Sequence, residues 1–449
     1  MGAPTEPTEH ERLAGLPPFD VAVWLTEQGR VTESGPYWQR AIAECPDDPV
    51  RLYAFGTAMG MVRRYGEAEQ ALWGAIALGM DRAEVWESLG IVYTRMRKLV
   101  EARQAYQRSV DCAPTVTGHI ALANAYASAD GDAARCRLAM ERAVSCAYRT
   151  PQDAGAAAQS LLWLGQWRAG WGLYESRREQ AEWRSANAEM AKLPCRPLAR
   201  VGRWIADAEG NPLDGRPVVV SAEQGQGDGV QFARFVPVLV ERVPGPVWFR
   251  AHSALVPMLR GAFAGDTRIR ILDAGDTLAE GECQGWVPLM SLPYFLGVSG
   301  RRDVPLPVRP FGTQWSPSVE GSHVFVHESG NPYHAYDWDR SAPAYRLSRM
   351  VRDAGYVPVI AKEGADWRTT VADLEHCVRC VTVDTGLAHV AASYGIPTDV
   401  FVPSVPEWRW GCERRPESVW YPSARLWWRD RSEDWDGACQ RWTDLRRIP

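Results

Sequence analysis

Between Leu52 and Ala143 the apolar positions repeat every 34 residues, the step from Gly56 to Gly90 and from Leu72 to Tyr106. Trp86, Leu89, Gly90, Tyr93, Ala102, Tyr106 and Pro114 mark the clearest copy, Ala83 to Pro114. Leu52, Phe55, Gly56, Met59, Ala68 and Leu72 hold the same slots one step earlier. Ile120, Ala123, Asn124, Ala127, Met140 and Ala143 hold them more loosely one step later. The spacing predicts a pair of helices per copy, small residues where paired helices approach and large ones between pairs. Ser160 to Arg177 is a degraded fourth copy, with Gly165 to Ala169 between its two helices, and a partial unit at Tyr37 to Pro46 caps the array. A helical solenoid is therefore predicted over 19–180, behind a flexible tail at 1–18. Such arrays carry concave surfaces that bind extended peptides or support a neighbouring domain.

The period then changes. Ala181 to Asp214 is irregular, polar and proline-bearing, and reads as a connector. Val218 to Val220, Val247 to Arg250 and Ile269 to Leu272 read as short buried strands, with helical stretches such as His252 to Gly261 between them. Ser291 to Gly297 closes this half with a short helix, and Ser299 to Ser318 reads as a Pro- and Arg-rich linker. A second alternation begins at His323, with strands at Val324 to His327, Val357 to Ile360, Val381 to Val383 and Thr398 to Val402. Helices are predicted at Ala344 to Ala354, Val371 to Cys377 and Leu387 to Tyr394. Alternating strands and helices mean parallel sheets covered on both faces. The predicted class is α plus α/β: a repeat solenoid, then two Rossmann-like domains at 215–318 and 319–449. Ligands are expected in the cleft between these halves, at the C-terminal ends of the strands.

Chemistry concentrates at two strand-to-helix turns. In Val218 to Val240 a β-branched strand meets a turn with Gly225, Gly227 and Gly229, then a helix with Val230, Phe232, Ala233, Val236, Leu239 and Val240 inward. Glycines admit a close ligand, and N–H groups at a helix start attract anions. Asp228 inside this turn is either a proton acceptor or the cap of its helix. The second turn is Asp384-Thr385-Gly386, with His389 one helical turn on. Its backbone N–H groups, its hydroxyl and the helix dipole suit a diphosphate.

Composition narrows the function classes. A length of 449 residues predicts two or three domains, and 46% hydrophobic residues a protein with full-sized cores. A net charge of −5 gives no basic field for nucleic acid. No apolar run is long enough to span a membrane, and the first residues lack a signal-peptide pattern. Ten scattered cysteines without a disulfide-like framework point to a reduced, cytoplasmic setting. Cys377 and Cys380, beside His376, read as a helix end running into a buried strand. The 21 tryptophans, many of them late in the chain, read as core packing or as a wall for stacking sugars or bases.

The motifs in order resemble a family. They are the tetratricopeptide (TPR) pattern, L-x-x-L-G-x-W-x-x-G-W-x-x-Y-E-x-R (Leu161 to Arg177), E-Q-G-x-G-D (Glu223 to Asp228), Q-F-A-R (Gln231 to Arg234), S-G-N-P (Ser329 to Pro332), D-T-G-x-x-H (Asp384 to His389), P-E-W-R-W (Pro406 to Trp410) and W-Y-P-S (Trp420 to Ser423). The chain resembles the tetratricopeptide-repeat glycosyltransferases of the GT-B fold. Its catalytic half is similar to the lipopolysaccharide heptosyltransferases, glycosyltransferase family 9, and its plan is loosely similar to the O-GlcNAc transferases. The resemblance implies a metal-independent transferase without a cofactor, using a UDP-, GDP-, ADP- or CMP-linked sugar as substrate. It implies Asp228 as the base and a donor site drawn from Gly227, Gly229, Ser329, Gly330, Asn331, His334, Lys362, Asp384, Thr385, Gly386 and His389. The implied acceptor is a protein or peptide held by the repeats. A glycan, a lipid or phage nucleic acid is the alternative acceptor, and a non-catalytic repeat scaffold the alternative to an enzyme. Two departures shift the expected donor contacts: Ala335-Tyr336 stand where the family has a basic or amide residue after His334, and Ala361 stands where relatives have Gln before Lys362. Arg340 and Lys362 remain as candidate cations. Asp337-Trp338-Asp339 spells the metal motif of the other glycosyltransferase fold, and its place after S-G-N-P makes it a chance match.

Overall fold

The computed structural model describes residues 15–316, 321–332, 334, 336–362, 364–405 and 407–446. Most of the expected tail (1–14), Ala335, Pro406 and the last two positions of the expected linker lie outside the described residues. The chain forms two compact units, Met1–Asp130 and Gly131–Pro449.

The first unit is a run of antiparallel helix pairs: Pro18–Glu27 with Val31–Glu44, Pro49–Met61 with Tyr65–Ala77, and Ala83–Arg95 with Leu99–Cys112. Val116–Ala125 follows and ends in a π turn, Tyr126–Asp130. The repeat phase has a direct packing reason. A Cβ on Gly56 would stand 2.8 Å from the Leu72 side chain, and one on Gly90 would stand 2.5 Å from the Tyr106 ring. At the same slot in each pair, a missing side chain admits a large one from the partner helix, while Ala68 and Ala102 are buried beside them.

The second unit opens with helices Ala133–Ser145, Pro151–Trp163 and Trp167–Tyr174. The Thr150 hydroxyl accepts the Asp153 N–H, and the Asp153 carboxylate accepts the Thr150 N–H, a reciprocal cap that starts the second of these. Where sequence predicts only a connector, the chain makes two short helices, Ala181–Ala186 and Ala188–Ala191, and a hairpin of β1 (Ala199–Val201) and β2 (Trp204–Ala206). Three-residue strands are too short for alternation to reveal them.

Two parallel sheets follow. The first comprises β3 (Val218–Ser221), β4 (Val247–Ala251), β5 (Ile269–Asp273) and β6 (Gly285–Pro288), in the order β5-β4-β3-β6. The second comprises β7 (His323–His327), β8 (Val357–Ile360), β9 (Arg379–Val383), β10 (Thr398–Val402) and β11 (Ala424–Trp428), in the order β11-β10-β9-β7-β8. Strands β6 and β11 are additions to the sequence expectation. β6 carries Gly285 and Pro288, and Gly285 leaves the space filled by Leu198. Val324, Val326, Val381 and Val383 pack against helices Arg346–Asp353 and Trp435–Arg446. No helix among the described residues is long and apolar enough to cross a membrane.

The late tryptophans are packing groups. Trp167, Trp171, Tyr174, Phe232, Trp408 and Trp420 form one cluster with ring centroids 5.4 to 6.5 Å apart. They join helix Trp167–Tyr174 to helix Gln226–Phe232 and to the loop after β10.

Candidate functional site

In an open parallel sheet the crevice lies where strand order reverses, outside the carboxyl ends of the strands. In the first sheet that point is between β3 and β6, and in the second between β7 and β9. β3 runs out into Glu223 to Asp228, β9 into Asp384-Thr385-Gly386, and β7 into the Ser329 to Pro332 loop. The sheet topology thus brings together the turns that sequence singles out.

The two glycine turns touch. A Cβ on Gly227 would lie 3.0 Å from His389 Cδ2 and 3.1 Å from Gly386 Cα. Helix Gln226–Phe232 packs on helix Gly386–Tyr394, and the Trp367 indole N–H donates to Gln226 Oε1 at 2.7 Å. Beside this contact lies a cleft of about 700 Å³, inside the usual range for small-molecule sites. Its walls include Gly225 to Asp228 from one half and Asn331, His334, Lys362, Thr385 and His389 from the other.

The turn after β3 takes its left-handed residue at Gln224 (φ 61°), not at a glycine. The glycines serve space instead. Gly227 clears Gly386 and His389, and Gly229 clears Leu255, whose Cδ1 would be 2.6 Å from a Cβ there. Asp228 is held at both oxygens: one accepts the Gly225 N–H at 3.1 Å, and the other pairs with the Arg409 guanidinium. The capping role and the cleft position therefore coexist. Arg409 also donates from Nη1 to Glu407 at 2.6 Å and from Nε to Gln231 Oε1 at 3.0 Å. Its charge is held above the ordinary arginine range by Asp228 and Glu407, against the burial that opposes it.

On the opposing turn, burial pushes the Asp384 carboxyl up to about 6, and the Glu407 carboxylate adds to the shift. Thr385 is the residue before helix Gly386–Tyr394, and its buried hydroxyl has no hydrogen-bond partner. A buried polar atom left open at a helix start is what a bound anion would satisfy. His389 stacks on Trp410 at 5.9 Å and 5° and shares a 2.9 Å hydrogen bond with the Tyr421 hydroxyl through Nδ1. Burial pushes His389 down to about 3, and the Arg409 and Arg234 charges act in the same direction. It is a neutral ring at neutral pH. The tautomer in which Tyr421 donates to Nδ1 carries the ring proton on Nε2.

Among the residues singled out from sequence, Gly227, Asp228, Asn331, His334, Lys362, Asp384, Thr385, Gly386 and His389 line the cleft. Gly229, Ser329 and Gly330 do not. Gly229 is filled over by Leu255, Ser329 is exposed, and the Gly330 N–H donates to Ser341 Oγ at 2.7 Å while Asp337 and Arg340 fill its side. Lys362 pairs with Asp373 at 3.1 Å. In Asp337-Trp338-Asp339, Asp337 accepts the Ser341 hydroxyl at 2.9 Å, and Asp339 is fully buried against Arg429, Ser404 and the Val405 N–H. Residues that sequence did not assign are Arg409, Glu407, Trp367, Gln226 and His327. Arg409 and Glu407 sit inside the P-E-W-R-W motif, which was the available signal. His327 ends β7, and burial lowers its pKa.

No protein-family model matches the chain. It is 29% identical over 226 residues to protein FlbA of Caulobacter vibrioides, covering 49% of this chain and 35% of that protein. The chain thus spans about a third of the length of that curated relative. Its similar solved structures include a TPR protein of Thermus thermophilus, at 20% identity and a TM-score of 0.31, covering 37% of this chain and 90% of that one. They also include TibC, an iron-containing dodecameric glycosyltransferase of enterotoxigenic E. coli, at 14% identity and a TM-score of 0.35, covering 42% of this chain and 59% of that one. TibC is known as well in complex with ADP-D-β-D-heptose.

Proposed function

We propose that this protein is a GT-B glycosyltransferase that moves a sugar from a nucleotide-sugar donor to a hydroxyl acceptor. The observation that carries the reading is the meeting of two helix-opening turns at the switch points of two parallel sheets. One turn bears a carboxylate, and the other bears an open hydroxyl and free helix N–H groups. In the proposed reaction Asp228 takes the acceptor proton as the acceptor oxygen bonds to the anomeric carbon and the bond to the diphosphate breaks. The helix N-terminus at Gly386, the Thr385 hydroxyl and the His389 Nε2–H would face the departing diphosphate. Donors of this kind need no metal to act, and no cofactor enters the scheme.

The acceptor in this reading is a protein side chain captured by the TPR repeats, as solenoids of this kind capture extended peptides. A reducing, cytoplasmic setting belongs to this reading, in keeping with ten cysteines scattered along the sequence. The ion pair and cap on Asp228 favour a second reading, in which this carboxylate is structural and the domain only binds nucleotides. Calorimetry with UDP-, GDP-, ADP- and CMP-sugars, followed by mass spectrometry for transferred sugar, separates the two. One donor should bind, and Thr385→Ala or His389→Ala should weaken it without unfolding the protein. Failure of all four donors to bind would sink the transferase reading.

A further inference from the structure

Arg409 lies 181 residues from Asp228 in sequence, yet its guanidinium grips the face of helix Gln226–Phe232 at two places. Nη2 meets Asp228, and Nε meets Gln231 at 3.0 Å. Those two residues are three apart, so they stand on one face of the helix. Nη1 is anchored on Glu407 at 2.6 Å, and the guanidinium plane lies over the Trp408 ring at 4.4 Å. The second oxygen of Asp228 is fixed by its own turn, through the Gly225 N–H. A planar fork can make this set of bonds, and the rotatable ammonium of lysine cannot reproduce it. The side chain of Asp228 therefore has one orientation, set from both sides of the cleft.

We propose that Arg409 is a positioning residue for Asp228: it holds the carboxylate aimed at the acceptor hydroxyl and acts on the reaction only through it. The proposal rests on the transferase reading above. A base displaced by about 1 Å loses up to roughly 10²-fold in rate, and loss of the fork permits that displacement.

The test is a cycle of Asp228→Asn, Arg409→Met, Arg409→Lys and the double change Asp228→Asn with Arg409→Met, each in the full chain. The readout is nucleotide release from whichever of the UDP-, GDP-, ADP- and CMP-sugars binds, with water as acceptor. Both Arg409 variants should lower kcat about 10- to 100-fold while the donor KM stays within about threefold. The double variant should be no slower than Asp228→Asn alone. Additive losses, or a raised donor KM at unchanged kcat, would show Arg409 acting directly on the donor and overturn the proposal. Should Arg409→Met lose its cooperative melt, Arg409→Lys, which keeps the buried charge, carries the same cycle. Full activity of Asp228→Asn would instead remove the reading beneath the proposal, a result distinct from additivity.

Discussion

Gly227 and Gly386 leave no room between them: a Cβ on the first would come within 3.1 Å of the Cα of the second. Both atoms belong to main-chain turns that cannot rotate away. Gly227→Ala should therefore push the two halves of the cleft apart. The expected cost is about 1–3 kcal/mol, with weaker donor binding alongside. Urea midpoints and calorimetry measure the two effects. Gly225→Ala is the control, since a Cβ there would meet only the Asp228 carboxylate, at 3.4 Å. Equal behaviour of the two variants would mean that the contact between the turns does not matter.

Asp228→Asn keeps the size of the side chain and an oxygen for the Gly225 N–H, and removes the proton acceptor. Transfer should fall by roughly 10²- to 10⁴-fold, as is typical for loss of a general base. Donor affinity should stay near wild type, and the melting temperature should fall only modestly, because Arg409 loses the Asp228 charge but keeps Glu407. A variant that keeps its rate but melts early would assign the residue to capping.

Two buried groups give opposite pH signatures. His389 is pushed down to about 3 from its ordinary 6.5. The stability due to its neutral form is complete above 6.5 and is lost as pH falls toward 3. Asp384 is pushed up to about 6 from 3.8. Its contribution is complete below 3.8 and is lost as pH rises through 6. Relative to wild type, His389→Gln should thus gain stability as pH falls from 6.5, and Asp384→Asn should gain it above 6. Urea midpoints measured at pH 4.5 and pH 8 check both directions.

Glu223 is fully buried, and Arg177, Trp183 and the Met290 N–H all donate to it. Glu223→Ala leaves the Arg177 charge without this partner and should destabilise the second unit by about 3–5 kcal/mol. Denaturant unfolding measures this. A loss below 1 kcal/mol would mean that water or Glu175 compensates.

Local pattern made much of this molecule legible. Gly56 and Gly90 set the repeat phase because each faces a large residue of its own helix pair, a contact within one repeat. The runs at Val218 and Val381 announced strands because both faces of those strands are buried. The strand at Gly285 to Pro288 stayed hidden, since its two strand-favouring residues, Trp286 and Val287, stand between a glycine and a proline, too short a run to read as a strand. Asp228, Thr385 and His389 could be picked out because each lies at or within one helical turn of a glycine-marked helix start. Arg409 stood out only as part of P-E-W-R-W, and its role stayed hidden because that depends on a partner 181 residues away. Gly229 misled for a related reason: its missing side chain makes way for Leu255, which no local pattern can distinguish from making way for a ligand.

The distance along the chain between Arg409 and Asp228 also has a temporal side. Synthesis runs from the N-terminus, so the helix at 226–232 and the indole of Trp171 leave the ribosome long before Trp408 and Trp420, which cover them. Until then their apolar faces have no lid, and Arg234 lacks the Trp420 carbonyl that accepts its Nη1–H. Non-local closures of this kind form slowly and leave sticky intermediates. A nascent chain halted before residue 409 would carry the aspartate in a loose turn beside bare aromatic surface. Exposed aromatic surface of this kind makes a folding intermediate prone to aggregation, so the late segment that carries Trp408 and Trp420 closes the apolar surface as well as supplying Arg409.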